Sequence, residues 1–297
     1  MNVGGAGLGA TIAAGPRGVV ERVAGGPEAP RFSMCAMVTD WAQFGECLAS
    51  YRAHGFDAAT CEWLVLDNSA GNRADAFVAT NEFLQAARGE FVVLTHQDVT
   101  LIEHGCAELE AMLEALTALD PDWAVCGNAG CTDDGWPVHC LSHPHREVDV
   151  RGGPFPARVV SLDENFLVVR RMANLAVSRD LGGFHHYAAD LCTVADVLGW
   201  HIYVIGFYLR HHSGGTVDAR YDHSAAVFAA KYRRALRPRW LHLVTLRSLY
   251  LSGGGAGVWR ARLWRFLGKV LGRVPRIRDL DDAAKRAARD RRRGRMG

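Results

Sequence analysis

The stretch Glu90 to Thr100, EFVVLTHQDVT, limits the fold more than any other part of the sequence. Phe91 to Leu94 is an unbroken apolar run with two valines, led in by Gly89, which is the pattern of a strand covered on both faces of a sheet. His96, Gln97 and Asp98 follow at once. Open α/β sheets hold their ligands at the carboxyl ends of such strands. An imidazole and a carboxylate two residues apart, where a buried strand surfaces, can face one metal ion. A polar turn closing a strand has the same composition, so the neighbouring segments must decide between the two.

Phe32 to Val38 reads as a first strand ending at Thr39-Asp40, and Trp41 to His54 follows with Phe44, Cys47, Leu48 and Tyr51 at helical spacing. Trp63 to Leu66 is a second buried strand, closed by the turn Asp67-Asn68-Ser69. Asn72 to Arg88 sets Ala74, Phe77, Val78, Asn81, Leu84 and Ala87 roughly on one face and reads as the crossover helix into Phe91–Leu94. Strand, helix, strand, helix, strand predicts an α/β fold with a parallel sheet and right-handed crossovers. Glu103 to Leu119 continues as an amphipathic helix stopped by Asp120-Pro121, and Trp123 to Cys126 is the next strand. Gly127 to Pro156 reads as a long irregular loop. Arg158–Leu162 and Phe166–Val169 are β-rich runs separated by Asp163-Glu164-Asn165. A glycine-hinged loop, Leu181 to Tyr187, then leads into a helix from Ala188 to Leu198. His201 to Tyr208 is a last strand, capped by Arg210-His211-His212-Ser213-Gly214-Gly215.

The chain of 297 residues divides by composition into a leader over 1–30, an α/β domain over 31–237 and a helical basic extension over 238–297. The leader is rich in Gly, Ala and Pro, lacks a basic n-region and an apolar h-region, and is expected to be disordered rather than a signal peptide. Eight cysteines without a CxxC pair predict reduced thiols in a cytoplasmic protein. No window carries eighteen uninterrupted apolar residues, so no transmembrane helix is expected. The formal charge of +2 hides an asymmetry, since the residues from Trp259 onward hold fourteen Lys/Arg against four Asp/Glu, or +10.

Asp67, His96 with Asp98, Asp190, and His211-His212 come from four separate segments and are expected along one rim of the sheet. Together a carboxylate and an imidazole from different strand ends can complete a site for Mg²⁺ or Mn²⁺ that neutralises a diphosphate.

The ordered motifs VLDNS, the helix containing Asn81, GEFVVLTHQDV, LDENFLVVRR, GGFHHYAADLC and YVIGFYLRHHSGG resemble the family-two glycosyltransferases of the GT-A fold. The likeness covers roughly residues 32 to 216 and is strongest to a bacterial branch that has HQDV where most members have Asp-x-Asp. It implies a GT-A, Rossmann-like, mostly parallel sheet flanked by helices. It also implies an inverting transfer from a UDP-, GDP- or dTDP-linked sugar to the hydroxyl of a glycan or lipid-linked glycan, as in polysaccharide biosynthesis. Thr39, Asp67 and Asn68 would meet the nucleotide, with His96 donating to a phosphate or ribose oxygen. Asp98 and His211, or His212 beside it, would hold Mn²⁺ or Mg²⁺. Asp190 would be the catalytic base, while Asp163, Glu164 and His185 would face the acceptor.

Other readings use the same residues. The segment Cys126, Cys131, His139, Cys140, His143 and His145 suggests structural zinc, although its spacing fits no standard template. A metal-dependent hydrolase would activate water with the same ligands. A degenerate transferase would bind a nucleotide-sugar without turnover. Trp240–Tyr250 and Val258–Leu271 combine Trp, Leu and Phe with Arg and Lys at helical spacing, which suits either an anionic membrane surface on the inner face of the cell membrane or a homo-oligomer contact. Asp281–Arg293 reads as a further helix with no apolar face, and the basic run lacks a nucleic-acid reading module.

Overall fold

Successive side chains of a strand point to opposite faces of its sheet, so a run that is apolar at every position needs cover on both sides. The computed structural model describes residues 13–14, 20–23, 26–143, 146–213, 219–243, 247–271 and 278–279. In it, β1 (Phe32–Val38) sends Met34, Ala36 and Val38 into one core and Cys35 into another. β2 (Cys61–Asp67) and β3 (Phe91–Thr95) divide in the same way. Trp63, Val65, Phe91 and Val93 join the first core, and Leu64, Leu66, Val92 and Leu94 join the second. Helices α1 (Trp41–Ala53), α2 (Ala76–Ala86), α3 (Cys106–Leu119) and α4 (Tyr187–Val197) supply the cover. Phe44, Cys47, Leu109 and Leu113 of α1 and α3 fill the first core, while Phe77, Phe83, Ala188 and Leu191 of α2 and α4 fill the second.

Further strands are β4 (Val99–Leu101), β5 (Trp123–Gly127), β6 (Phe166–Arg170), β7 (His201–Val204) and β8 (Leu209–His211). The central sheet has the order Ala13–Ala14, Glu21–Val23, β2, β1, β3, β6, β5, β7, Ala157–Arg158. The strands β1, β2, β3, β5 and β7 share one direction, and β6 runs against them between β3 and β5. From β1 the chain crosses to β2 on one side and returns to β3 on the other. That reversal leaves a crevice at the carboxyl ends, the place where open α/β sheets take their ligands. The class is therefore the α/β arrangement expected from the sequence, with the antiparallel β6 as an addition.

Several expectations are corrected. The segment expected to be an irregular loop contains the strands Ala129–Cys131, Pro137–His143 and Arg146–Gly152. They build a second sheet ordered Ser161–Leu162, Ala129–Cys131, Pro137–His143, β8, β4, with Arg146–Gly152 paired to Pro137–His143. These strands carry Cys, His, Ser and Arg in place of long apolar runs, which hid them from a pattern search. The expected last strand is shortened to His201–Val204, because the chain then leaves the central sheet, and Leu209–His211, beyond the expected strand, enters the second one. Arg158–Leu162 is likewise divided between the two sheets. Helix α2 begins at Ala76 rather than Asn72, because Asn68 bonds the backbone at Arg73 and Ala74 and Asp75 caps the helix through the Val78 amide at 3.0 Å. Such a cap stabilises by about 1 kcal/mol.

Part of the expected leader is ordered, since Val20 is buried and Glu21–Val23 pairs with β2. Its remainder lies outside the described residues except for Ala13–Ala14 and residues 26–30. The chain divides into two units, Met1–Phe228 and Ala229–Gly297, with the boundary inside α5 (Ala219–Ala235) instead of after residue 237. In the second unit, the described residues of Trp240–Tyr250 form no helix. Arg239–Leu243 and Arg247–Leu251 are an antiparallel hairpin followed by α6 (Gly255–Val270). The expected helix over Asp281–Arg293 lies outside the described residues. No described helix is long and apolar enough to cross a membrane.

Candidate metal centre and its surroundings

Two strand registers assemble the site. β8 pairs antiparallel with β4, placing His211 opposite Val99, and the His212 amide donates to the Asp98 carbonyl at 3.0 Å. β6 pairs antiparallel with β3, placing Phe166 opposite Thr95, and the His96 amide donates to the Asn165 carbonyl at 3.0 Å. The first register brings His211 to Asp98, and the second brings the Asp163–Asn165 turn to His96.

His96 Nδ1 lies 3.3 Å from His211 Nε2, His211 Nε2 lies 3.4 Å from Asp98 Oδ1, and His96 Nδ1 lies 3.9 Å from the same oxygen. Ligands bound at about 2.1 Å to one cation stand roughly 3.0–3.4 Å apart in tetrahedral or octahedral spheres. Two sides of the triangle fall in that range, the third, at 3.9 Å, is longer, and the three atoms form the one such group among the described residues.

The groups behind the triangle support the fit. Tyr187 Oη lies 3.3 Å from His96 Nε2 and donates to the Glu164 carbonyl at 3.1 Å. Burial, followed by the charges of Glu164 and Asp163, raises the Tyr187 hydroxyl well above its ordinary value, so it remains a donor. Its oxygen then accepts from His96 Nε2–H, which assigns the tautomer that leaves a lone pair on Nδ1, the atom facing Asp98 and His211. Burial, then the neighbouring His211, holds the His96 imidazole below its ordinary value and keeps it neutral. For Asp98, burial works upward, but hydrogen bonds from His211 and Ser213 outweigh it and hold the carboxyl well below the usual carboxylate range. A neutral imidazole and an ionised carboxylate are the forms that bind a divalent ion.

His212 takes no part in the triangle. Adjacent residues of a strand face opposite ways, and its Nε2 turns to Thr100 Oγ1 at 2.8 Å. His96, expected at a phosphate or ribose, stands in the triangle instead. Asp190, expected as the base, is corrected by its surroundings. It is fully buried, and Ser178 bonds both its oxygens, the amide at 2.6 Å and the hydroxyl at 2.8 Å. In this structure its carboxylate holds Ser178 and is not exposed.

Asp163 is exposed, with Oδ1 held by the Asn165 amide at 2.9 Å. Its charge acts on His96, which puts it beside the triangle. Burial, together with Asp163, pushes the half-buried Glu164 carboxyl up to about 8, against the pull of the Ala188, His186 and Tyr187 amides at the start of α4.

Thr39 and Asp67 sit at adjoining strand ends, since Val38 pairs with Asp67. Hydrogen bonds from Ser69, then Trp41, hold Asp67 below its ordinary value despite its partial burial. Asn68 is buried and spent on the Arg73–Ala74 backbone, so it serves the loop and not a ligand. His185 lines a separate cavity of about 780 Å³, shared with Phe77, Leu181, Phe184, His186 and Phe228. The expected zinc segment forms no metal-holding group among the described residues, and His145 lies outside them. Cys126 is in the central sheet while Cys131 and Cys140 are in the second, which separates them.

Sequence reasoning missed two residues. Gln97 clamps the end of β1, its Oε1 accepting from the Thr39 amide at 2.8 Å and the Asp40 amide at 3.0 Å and its Nε2 donating to Thr39 Oγ1 at 2.8 Å. Tyr187, the second, had only the motif GGFHHY to mark it.

No family model matches the chain. Among solved structures, GalNAc-T7 with UDP, GalNAc and Mn²⁺ is 8% identical, with a TM-score of 0.43 over 63% of this chain and 44% of that one. The mannosyltransferase PcManGT from Pyrobaculum calidifontis, in complex with GDP-Man and Mn²⁺, is 15% identical, with a TM-score of 0.44 over 71% and 67%. TarS of S. aureus is 12% identical, with a TM-score of 0.42 over 69% and 43%. The chain thus spans less than half the length of GalNAc-T7 and of TarS. A protein of Fuscovulum blasticum named ATP synthase subunits region ORF 6 is 37% identical over 233 aligned positions, and the alignment covers 75% of this chain and 91% of that protein. Identity of that extent over nearly the whole partner leaves one conclusion: this chain belongs to the family of the Fuscovulum blasticum ORF 6 protein.

Proposed function

We propose that the chain is a glycosyltransferase of the GT-A type, moving a sugar from a nucleoside-diphosphate donor to an acceptor hydroxyl with inversion. The observation that carries this reading is the triangle of His96, Asp98 and His211 at the carboxyl end of β3, beside the crevice where the strand order reverses. Mn²⁺ or Mg²⁺ held by those three side chains would neutralise the donor diphosphate and the charge that grows on it as it leaves. Thr39 and Asp67, at adjoining strand ends, would bind the base and ribose of a UDP-, GDP- or dTDP-linked donor.

Asp163 replaces Asp190 as the proton acceptor in this reading, because it is exposed beside the triangle whereas Asp190 is sealed. It takes the proton of the acceptor hydroxyl while that oxygen bonds to the anomeric carbon and the nucleoside diphosphate departs with the bonding pair. Glu164 borders the same space and would position the acceptor, which we take to be a glycan or lipid-linked glycan.

The test is a thermal-shift series with UDP, GDP and dTDP and their sugars, with and without Mn²⁺, since a bound donor stabilises by mass action. A shift that needs both nucleotide and metal supports the reading, and no shift with any of them overturns it. Release of free sugar at a rate independent of every acceptor would replace transfer by hydrolysis.

A further inference from the structure

The second unit exposes a surface that donor chemistry leaves unused. Its hairpin pairs Trp240 with Tyr250, their rings 5.1 Å apart, and the Arg265 guanidinium of α6 stacks over the Trp240 ring at 4.4 Å. Ala261 and Arg265, one turn apart, are the buried ones among the described side chains of α6. The helix thus turns a basic residue inward and leaves its large apolar residues outside. Trp259, Trp264 and Phe266 are 68%, 69% and 63% exposed. At 3.6 residues per turn, Trp259, Leu263, Trp264, Phe266, Leu267 and Val270 fall within one arc of about 160°.

Charge selects the occupant of this face. The helix contains no Asp or Glu, Arg260 projects exposed from within the apolar arc, and the sequence from Trp259 onward carries +10. Indoles favour the headgroup boundary of a bilayer, apolar side chains beside them enter the acyl region, and guanidinium groups bind lipid phosphates. We propose that this face of α6 docks on an anionic lipid bilayer, with the helix lying in the plane of the interface. No described helix is long and apolar enough to cross a membrane, so the contact is one of lying on the bilayer. The inference is independent of the transfer reaction.

The experiment is co-sedimentation of the full chain with vesicles of phosphatidylcholine and phosphatidylserine (3:1) and with pure phosphatidylcholine. Binding should favour the anionic vesicles and weaken as salt is raised. The double variant W259S/W264S should bind at least roughly ten-fold more weakly, and Arg260→Glu should lose the preference for anionic lipid. An unchanged circular dichroism spectrum in both variants keeps the loss attributable to the face. Equal binding to both vesicle types, no binding at low salt, or full binding by the double variant would each overturn the proposal. So would a dimer in analytical ultracentrifugation that W259S/W264S dissolves, since a second copy would then be the occupant.

Discussion

The hydroxyl of Tyr187 stands between His96 Nε2, 3.3 Å away, and the carbonyl of Glu164, 3.1 Å away. Because it donates to the carbonyl, it accepts from the imidazole, and the opposite ring nitrogen is left free for a cation. Tyr187→Phe should therefore lower Mn²⁺ affinity about ten-fold, measured by isothermal titration calorimetry. Wild-type affinity in this variant would remove Tyr187 from the site.

The two neighbouring histidines should behave differently. His211→Ala should abolish Mn²⁺ binding, while His212→Ala, which loses only the exposed bond to Thr100, should leave the affinity within about two-fold. Equal losses would contradict the strand register that separates them.

Asp163→Asn should leave donor affinity near normal and reduce transfer by about 10² or more. Asp190→Asn should instead cost about 1–3 kcal/mol of stability, because the amide nitrogen that replaces one oxygen cannot accept its buried bond from Ser178. A stable Asp190→Asn protein with collapsed turnover, read alongside a normal Asp163→Asn enzyme, would reverse the two roles.

Glu164 gives a pH signature. Its carboxyl titrates at about 8 in the folded protein, chiefly through burial and then through Asp163, and near 4.3 when unfolded. Between those values the folded state holds a proton that the unfolded state has released, so stability is full below about 4.3 and declines as pH rises towards 8. Urea unfolding of Glu164→Gln across that range should show this part of the decline removed. Parallel pH profiles for the two proteins would refute the shift.

Gln97 ties β3 to the end of β1 through three hydrogen bonds. Gln97→Ala should cost about 1–2 kcal/mol and weaken nucleotide binding several-fold while leaving Mn²⁺ affinity alone. Weakened metal binding would place Gln97 closer to the triangle than its bonds to Thr39 and Asp40 indicate.

Local pattern was sufficient for a large share of this molecule. Phe32–Val38 and Phe91–Leu94 are apolar at nearly every position, and only a strand between two layers satisfies that, so the central strands and their covering helices followed from the chain order. Asp98 and His211 were legible because each ends a strand in polar residues. Tertiary structure decided the rest. Whether His211 or His212 faces inward depends on the β8–β4 register, which no local spacing encodes. Asp190 sits in the first turn of its helix as the sequence suggested, yet Ser178, twelve residues earlier, seals it. The second sheet escaped notice because its strands carry no continuous apolar run, although Ala129–Cys131, Pro137–His143 and Arg146–Gly152 pair with near neighbours, and only their joining to β8 and β4 spans long sequence separations. Sequence sets which side chains are available at each strand end, whereas pairing between distant strands sets which of them meet, because one residue of slip turns every side chain to the other face.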